Sequence, residues 1–120
     1  MTESQWKIFR ELRVVALHRF CQRTLGEITR VAADDRLTQH ERYLKVYELI
    51  HGRDQDLAAA FNDASRSKAD FQLSLICAQG LVTQAELAQF GPDIGSRMRQ
   101  LDGTALPYWK EQPAGVADGK

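Results

Sequence analysis

Hydrophobic residues recur every three or four positions through most of this chain, from about residue 3 to residue 101. That spacing places them on one face of an α-helix. No segment alternates strictly between β-branched and polar residues, and all three prolines lie at or after position 92. The pattern therefore predicts an all-α fold, a small bundle of about five helices with a long N-terminal helix and a short C-terminal helical hairpin.

The limits of the first two helices follow from periodicity and capping signals. The first helix is predicted over residues 3–33, about 45 Å at 1.5 Å per residue. Thr38 and Glu41 then have the spacing of a capping box, in which each side chain accepts a hydrogen bond from the backbone amide of the other residue. A second helix is therefore expected over residues 39–51.

Gly52 allows two interpretations of the middle of the chain. Glycine can end the second helix, and Asp54 or Asp56 can then cap a third helix that continues to Gln79. Alternatively, the helix continues through Gly52 with a kink, at a cost of about 1 kcal/mol relative to alanine. The sequence leaves both arrangements open.

The C-terminal helix boundaries are more sharply marked. Gly80 suits the left-handed position that follows a helix, and residues 83–86 form a second capping box. These signals predict a short helix over residues 84–90. Another helix is predicted over residues 92–101, because proline is favoured in the first turn of a helix.

Residues 1–102 are therefore expected to form a single helical domain. Residues 103–120 contain two of the prolines and no helical periodicity, which predicts a flexible C-terminal tail. Within this tail, the segment Leu106–Trp109 is the part best suited to dock on the domain, because it combines a leucine with two aromatic residues.

The apolar face of the first helix changes direction near residues 14–17. At 100° per residue, one face carries the apolar residues of the N-terminal half: Ile8, Phe9, Leu12, Val15 and Ala16. After residue 16 the apolar residues lie on the other side: Leu17, Cys21, Leu25, Ile28 and Val31. Arg19, Arg23 and Arg30 continue the line of the earlier face. Either the helix kinks to close one core, or its two halves contact two different bodies.

The second alternative predicts a partner surface on the N-terminal half of this helix. Tryptophan, phenylalanine and arginine are typical anchors of protein interfaces. The residues expected at this interface are Trp6, Phe9, Leu12, Arg13 and Ala16.

Charge and composition exclude several classes of function. Sixteen basic and sixteen acidic side chains cancel, which argues against binding nucleic acid or an anionic membrane through bulk charge. Apolar runs such as Val14–Leu17 are far shorter than a membrane span, and the N-terminus lacks the features of a secretory signal. Cys21 and Cys77 lie among apolar residues and outside any metal-binding motif. Reduced thiols and a cytoplasmic location are therefore expected.

The sequence contains none of the common catalytic or nucleotide-binding motifs. Glu48 and His51 have the spacing found in di-iron helical bundles, but those sites need a second such pair, which does not occur here. His40 lies on the same helical face as His51 but about 16 Å away, too far to share a metal ion. We therefore expect no enzymatic activity, no metal and no cofactor.

Binding of a small ligand is one alternative function. Lys68 falls within the apolar stripe of the predicted third helix, where a lysine either extends to water or pairs with an anionic group. Gln72 borders the same face, and Tyr43 and Tyr47 share a face of the second helix. These four residues are the candidates for a ligand pocket.

DNA binding is the other alternative. Residues 83–88, followed by Gly91, resemble the start of a helix-turn-helix motif, and the resemblance implies that Arg97, Arg99 and Gln100 contact DNA. Residues 86–102 hold two arginines against three acids, which is a poor footprint for phosphate. Nucleic-acid binding is therefore the weaker hypothesis. The main prediction is a small helical protein that acts by protein–protein contact, as a homodimer or with another protein.

Overall fold

The computed structural model describes residues 1–102, with side chains as far as Arg99. This part of the chain contains five α-helices and no strand. Their bounds are α1 Glu3–Ala32, α2 Gln39–Phe61, α3 Ala69–Ala78, α4 Gln84–Ala88 and α5 Pro92–Asp102. The predictions of an all-α fold, a long first helix and short C-terminal helices are confirmed. The predicted tail, with its segment 106–109, lies outside the described residues.

Capping boxes fix the starts of α1, α2 and α4. The Thr38 and Thr83 hydroxyls accept hydrogen bonds from the amides of Glu41 and Glu86, at 3.0 and 3.1 Å. Each glutamate in turn accepts from the amide of its threonine, as predicted. A third box, which the sequence analysis did not identify, joins Thr2 to residue 5 at the start of α1. Each cap contributes about 1 kcal/mol.

The middle of the chain follows the second of the two predicted arrangements. α2 passes through Gly52 and ends at Phe61, and a turn over residues 62–68 divides the segment predicted as one helix over residues 54–79. Gly52 is exposed, and a Cβ there would meet nothing within 4 Å, so the helix accommodates it easily. Asn62 instead leaves α2 in an extended conformation, and Asp63 has φ 54°, a left-handed conformation that aspartate tolerates.

The hydrophobic core lies at one end of the molecule, where α1 and the end of α2 meet α3, α4 and α5. We call this part, residues 1–20 and 60–102, the body. The side chains that form its core are almost completely inaccessible to solvent: Phe9, Leu12, Ala16, Phe20, Ala60, Phe61, Ala69, Leu73, Ile76, Cys77, Leu81, Val82, Leu87, Phe90, Ile94 and Met98. Phe20 and Phe61 meet edge to face there, with 6.1 Å between ring centroids.

Arginines on the core face of α1 explain the apparent change of apolar face. Gly80, two residues after the end of α3, has φ 68° and turns the chain there, and the carbonyls of this turn accept hydrogen bonds from α1. Arg23 donates to the carbonyls of Gln79 and Gly80 at 2.7 and 3.1 Å. Arg19 is buried, and donates to the carbonyl of Leu81 at 2.9 Å. α1 is therefore one continuous helix. The same face contacts the body as far as Arg23, through apolar packing up to Phe20 and through the hydrogen bonds of Arg19 and Arg23.

Beyond this core, α1 and α2 extend as a two-helix hairpin that we call the arm, residues 21–59. No residue of the arm is buried. The two helices are antiparallel, and Arg42 near the start of α2 donates to the carbonyl of Ala32 at the end of α1, at 3.1 Å. The described residues accordingly measure 51 × 29 × 26 Å. Within them, no helix combines the length and the apolar character needed to cross a membrane.

Candidate interaction surface

Most of the residues predicted for the interaction surface are covered within the chain itself. Phe9, Leu12 and Ala16 lie inside the core of the same chain, so they are not available as an exposed contact surface. Arg13 donates to the carbonyl of Phe61 at the end of α2. Trp6 is half-buried and stacks on the ring of the buried phenylalanine at 5.7 Å. The N-terminal half of α1 therefore uses this apolar face for the internal core.

The other apolar face of α1, over the C-terminal half of the helix, is the accessible one. Leu25 is 62% exposed and Cys21 is also exposed, while Ile28 is half-buried. These three residues have the spacing of neighbours on one helix face. The two halves of α1 do present apolar residues to two surroundings, but the half that faces outward is the C-terminal one.

α2 carries a matching apolar face. Tyr43 is 68% exposed, Tyr47 is 62% exposed and Ile50 is 48% exposed. The tyrosine at position 47 stacks on His51, with 6.1 Å between ring centroids and 9° between planes. Single exposed apolar residues are ordinary on protein surfaces, but a contiguous set commonly marks a binding site.

The apolar faces of the two arm helices meet along a groove of about 300 Å³. Leu25 and Ile28 line it from α1, and Ile50 and Leu57 line it from α2. Phe20 closes the groove at the end nearest the body. We call the groove and its rims the arm face; it comprises Cys21, Leu25, Ile28, Tyr43, Tyr47, Ile50, Asp54 and Leu57.

Glu27, Arg53 and Asp56 form ion pairs along the contact between the two arm helices. Arg53 donates both Nε and Nη2 to the carboxylate of Glu27, at 3.0 and 2.9 Å. These hydrogen bonds from Arg53 lower the pKa of Glu27, against the smaller opposing effect of burial. Arg53 also lies 3.7 Å from Asp56. The pairs neutralise charge at the seam, and they leave Asp54 as the one ionisable carboxylate on the arm face.

The residues predicted to line a ligand pocket are not brought together. Lys68 is exposed in the turn before α3, because α2 continues to Phe61 and the chain reverses direction after it. Gln72 is buried in the body, where its Nε2 donates to the carbonyl of Asn62 at 2.8 Å. Tyr43 and Tyr47 lie on the arm. Tyr47 is separated by about 20 Å of helix from the end of α2, so these side chains do not share a pocket.

The residues predicted to contact DNA lie on α5, in the body. Arg97 is 3.3 Å from the carboxylate of Asp70, and Asp93 lies in the same open cleft. Arg99 is exposed, and the side chain of Gln100 lies outside the description. An arginine that is paired with a carboxylate and flanked by a second acid is poorly placed to bind phosphate.

The histidines and cysteines do not converge within the part of the chain that the structure describes. Residues 1–102 contain no group of three or more His, Cys, Asp or Glu side chains that could hold a metal ion. His40 and His51 are both exposed on α2. Cys21 is exposed on the arm face, whereas Cys77 is buried in the core, and both are free thiols. The most distinctive surface among the described residues is therefore the arm face.

Comparisons with protein-family models, with curated proteins and with solved structures found no match to this chain.

Proposed function

We propose that this protein acts by protein–protein contact, without catalysis, and that it forms a homodimer through the arm face. The observation that carries the proposal is the contrast in burial between the arm and the body. Residues 21–59 contain no buried side chain, yet they expose Leu25, Tyr43, Tyr47 and Ile50 on one side.

An arm of this kind gains stability when its apolar face is covered. A helix in water draws most of its stability from packing of its apolar face rather than from intrinsic propensity. Burying one large apolar side chain contributes about 1.5–3 kcal/mol. The arm face holds two tyrosines, four aliphatic side chains, a cysteine and Asp54. Contact with a second surface would bury these apolar side chains, as the core buries those of the body.

A second copy of the chain fits the chemistry of this face. Homodimer interfaces are more apolar than other protein interfaces, and they are enriched in tyrosine and depleted of charged residues. The arm face has a similar composition, since two charged residues, Asp54 and Arg53, line its groove and Arg53 is paired with Glu27. The net charge of zero also means that two copies do not repel each other at long range. We place this dimer in the cytoplasm, where Cys21 on the arm face remains a thiol.

The test measures mass by light scattering over a range of concentrations. The wild-type chain is expected to approach twice 13.6 kDa as concentration rises. Tyr47→Glu introduces a charge at the centre of the arm face and is expected to remain a monomer, because an unpaired charge in an apolar interface is costly.

Phe71→Glu is the matched control for this experiment. Phe71 is an aromatic residue of α3 with an exposed fraction of 63%, close to that of Tyr47, but it lies on the body. This variant is expected to dimerise like the wild type. The proposal is wrong if the wild type stays monomeric at every concentration, or if the Phe71 and Tyr47 variants have equal effects. Circular dichroism verifies that both variants remain helical.

A further inference from the structure

The outward face of α2 has the residue spacing of a coiled-coil seam. Its side chains recur at alternating intervals of three and four residues: His40, Tyr43, Tyr47, Ile50, Asp54 and Leu57. This is the a/d pattern by which one helix packs into another through knobs and holes. The row facing α1 is a different one and includes Val46, Leu49 and Arg53, each half-buried. α2 therefore carries two seams, and within residues 1–99, whose side chains are described, only the inner one is occupied.

α1 supplies a second row beside the outward seam. Cys21, Leu25 and Ile28 continue the line of Leu17, with similar intervals. Cys21, Leu25 and Ile28 of the α1 row line the same groove as the C-terminal half of the α2 row, Ile50, Asp54 and Leu57. Two helices with adjacent outward rows present the half of a four-helix bundle that its other two helices would cover.

We infer that two copies pack their arm faces antiparallel, about a two-fold axis near Tyr47, and so complete a four-helix bundle. This inference rests on the proposed homodimer and adds its geometry. His40 lies seven residues before Tyr47, and Asp54 lies seven residues after it. An antiparallel two-fold therefore brings Asp54 of one copy to the first turn of α2 in the other copy.

The charges on the seam favour this direction over the parallel one. At the first turn of α2, the side chains of His40 and Tyr43 can donate hydrogen bonds to the Asp54 carboxylate of the other copy. The positive end of the helix dipole lies there as well. In a parallel pair the two Asp54 carboxylates would instead face each other across the seam, and like charges in apposition are destabilising.

The size of the arm face is appropriate for a dimer. From His40 to Leu57 the seam is about 26 Å long, and two adjacent helices are about 20 Å wide. The projected area is on the order of 500 Å² per copy, and the accessible area of a ridged helical surface is larger than its projection. Specific interfaces bury about 800 Å² per partner.

Among the described residues, α5 brings Arg97 to the cleft beside Met1, at the end of α1 remote from the arm. Leu25 lies about 33 Å farther along α1. No described residue after Leu57 lines the groove. The charges and the size of the arm face favour a second copy as its occupant.

The distance between the two arm tips tests the antiparallel geometry. Asp35 is exposed in the turn between α1 and α2. An Asp35→Cys variant in a Cys21→Ser background carries one accessible nitroxide label per copy, because Cys77 is buried. Electron–electron double resonance on the dimer is expected to give about 25–35 Å between labels, which is twice the helix rise of about 12 Å from Tyr47 to the start of α2 together with the turn beyond it. Adding Tyr47→Glu is expected to abolish this distance.

A charge exchange on the seam provides an independent test. Asp54→Lys places a cation against the positive first turn of α2 and is expected to weaken the dimer at least tenfold. Adding His40→Glu to the same chain is expected to recover most of that loss, because the antiparallel arrangement brings residues 40 and 54 of different copies together. In a parallel dimer, residue 40 has no such effect on residue 54.

The outcomes separate this inference from the proposed function. A chain that stays monomeric overturns both. A dimer that dissociates on Tyr47→Glu, but whose tips are about 10–20 Å apart, supports the proposed function and overturns the antiparallel inference. Failure of His40→Glu to rescue Asp54→Lys, with Tyr47→Glu still monomeric, also overturns the antiparallel inference alone.

Discussion

In the body, α1 contributes Phe9, Leu12 and Phe20 to a core that α3, α4 and α5 enclose, whereas from Cys21 to Ala32 the same helix has no buried side chain. Local signals do not distinguish the two regions. A capping box starts α1 beside the body, and another starts α2 at the tip of the arm. Helix formation and burial are therefore separate properties of this chain, and the arm has helices whose outer surface is not covered within the described residues.

The largest expected difference between the two regions is the effect of truncating an apolar side chain. Phe61→Ala removes a ring that packs against Phe20 in the core, and we expect it to destabilise the chain by about 4 kcal/mol. Ile50→Ala removes a half-exposed side chain of the arm, and it should change the stability of the monomer by less than about 1 kcal/mol. Urea denaturation at low protein concentration measures both values.

Ile50→Ala also serves as the control for the first variant, because both truncations lie on α2. Equal losses of stability would contradict the division into a body and an arm. At high protein concentration the wild type should gain stability from the proposed dimer, because association is linked to folding. Ile50→Ala should gain less. That concentration dependence is absent if the arm face has no partner.

The sequence predicted the helices better than their burial because capping is a local property. Two capping boxes, Thr38 with Glu41 and Thr83 with Glu86, each mark a helix start within a segment of four residues. The sequence does not predict the helix end at Asn62, because the apolar periodicity continues across it. Gly52, a candidate helix end in the sequence, lies exposed inside α2. A left-handed aspartate after an asparagine is a weaker signal than a glycine.

The predicted interface fell on the half of α1 that the fold buries, for a physical reason that a hydrophobicity pattern does not contain. Arginine side chains are usually exposed, so the sequence pattern predicts that the core face of α1 ends before Arg19 and Arg23. They face inward because the last carbonyls of α3 and the turn after it need donors. The aromatic cluster of Tyr43, Tyr47 and His51 was visible in the sequence, but only the fold shows that nothing in residues 1–102 covers it.

The partly buried ion pair between Arg19 and Glu86 in the body is expected to have an intermediate effect on stability. Burial tends to raise the pKa of Glu86, but hydrogen bonds from Arg19 and Thr83 outweigh burial and hold that pKa below its usual value of 4.5. Arg19 binds both carboxylate oxygens, at 2.7 and 2.9 Å. At neutral pH we expect Glu86→Gln to destabilise the body by about 2 kcal/mol, the size of a charge-assisted hydrogen bond.

This difference should depend on pH with a defined sign. A carboxyl group whose pKa is lower in the folded state stabilises the fold above its unfolded pKa, and this contribution is lost as the pH falls through the folded value. The advantage of the wild type over Glu86→Gln should therefore be constant near pH 7 and should shrink below pH 4.5. Thermal unfolding of both chains from pH 7 to pH 3 measures it. A gap that widens in acid would contradict the assigned role of the pair.

The smallest expected effect is a gain of stability in the arm. Gly52 lies inside α2, is exposed, and leaves a Cβ without any contact within 4 Å. Gly52→Ala should therefore stabilise the helix by up to about 1 kcal/mol through propensity alone. Hydrogen exchange of the α2 amides around residue 52 should slow by about fivefold, since a region without buried side chains opens locally.

Gly80→Ala in the body is the control of opposite sign. Gly80 has φ 68°, a conformation that costs an alanine about 1 kcal/mol, and the turn that it forms supplies the carbonyls bound by Arg23. The two glycine substitutions should therefore have opposite effects. Gly52→Ala should slow hydrogen exchange of the α2 amides, whereas Gly80→Ala should lower the free energy of unfolding of the body. If Gly52→Ala instead accelerates exchange in α2, the helix does not pass through residue 52 in solution, and the arm face as a continuous seam does not exist.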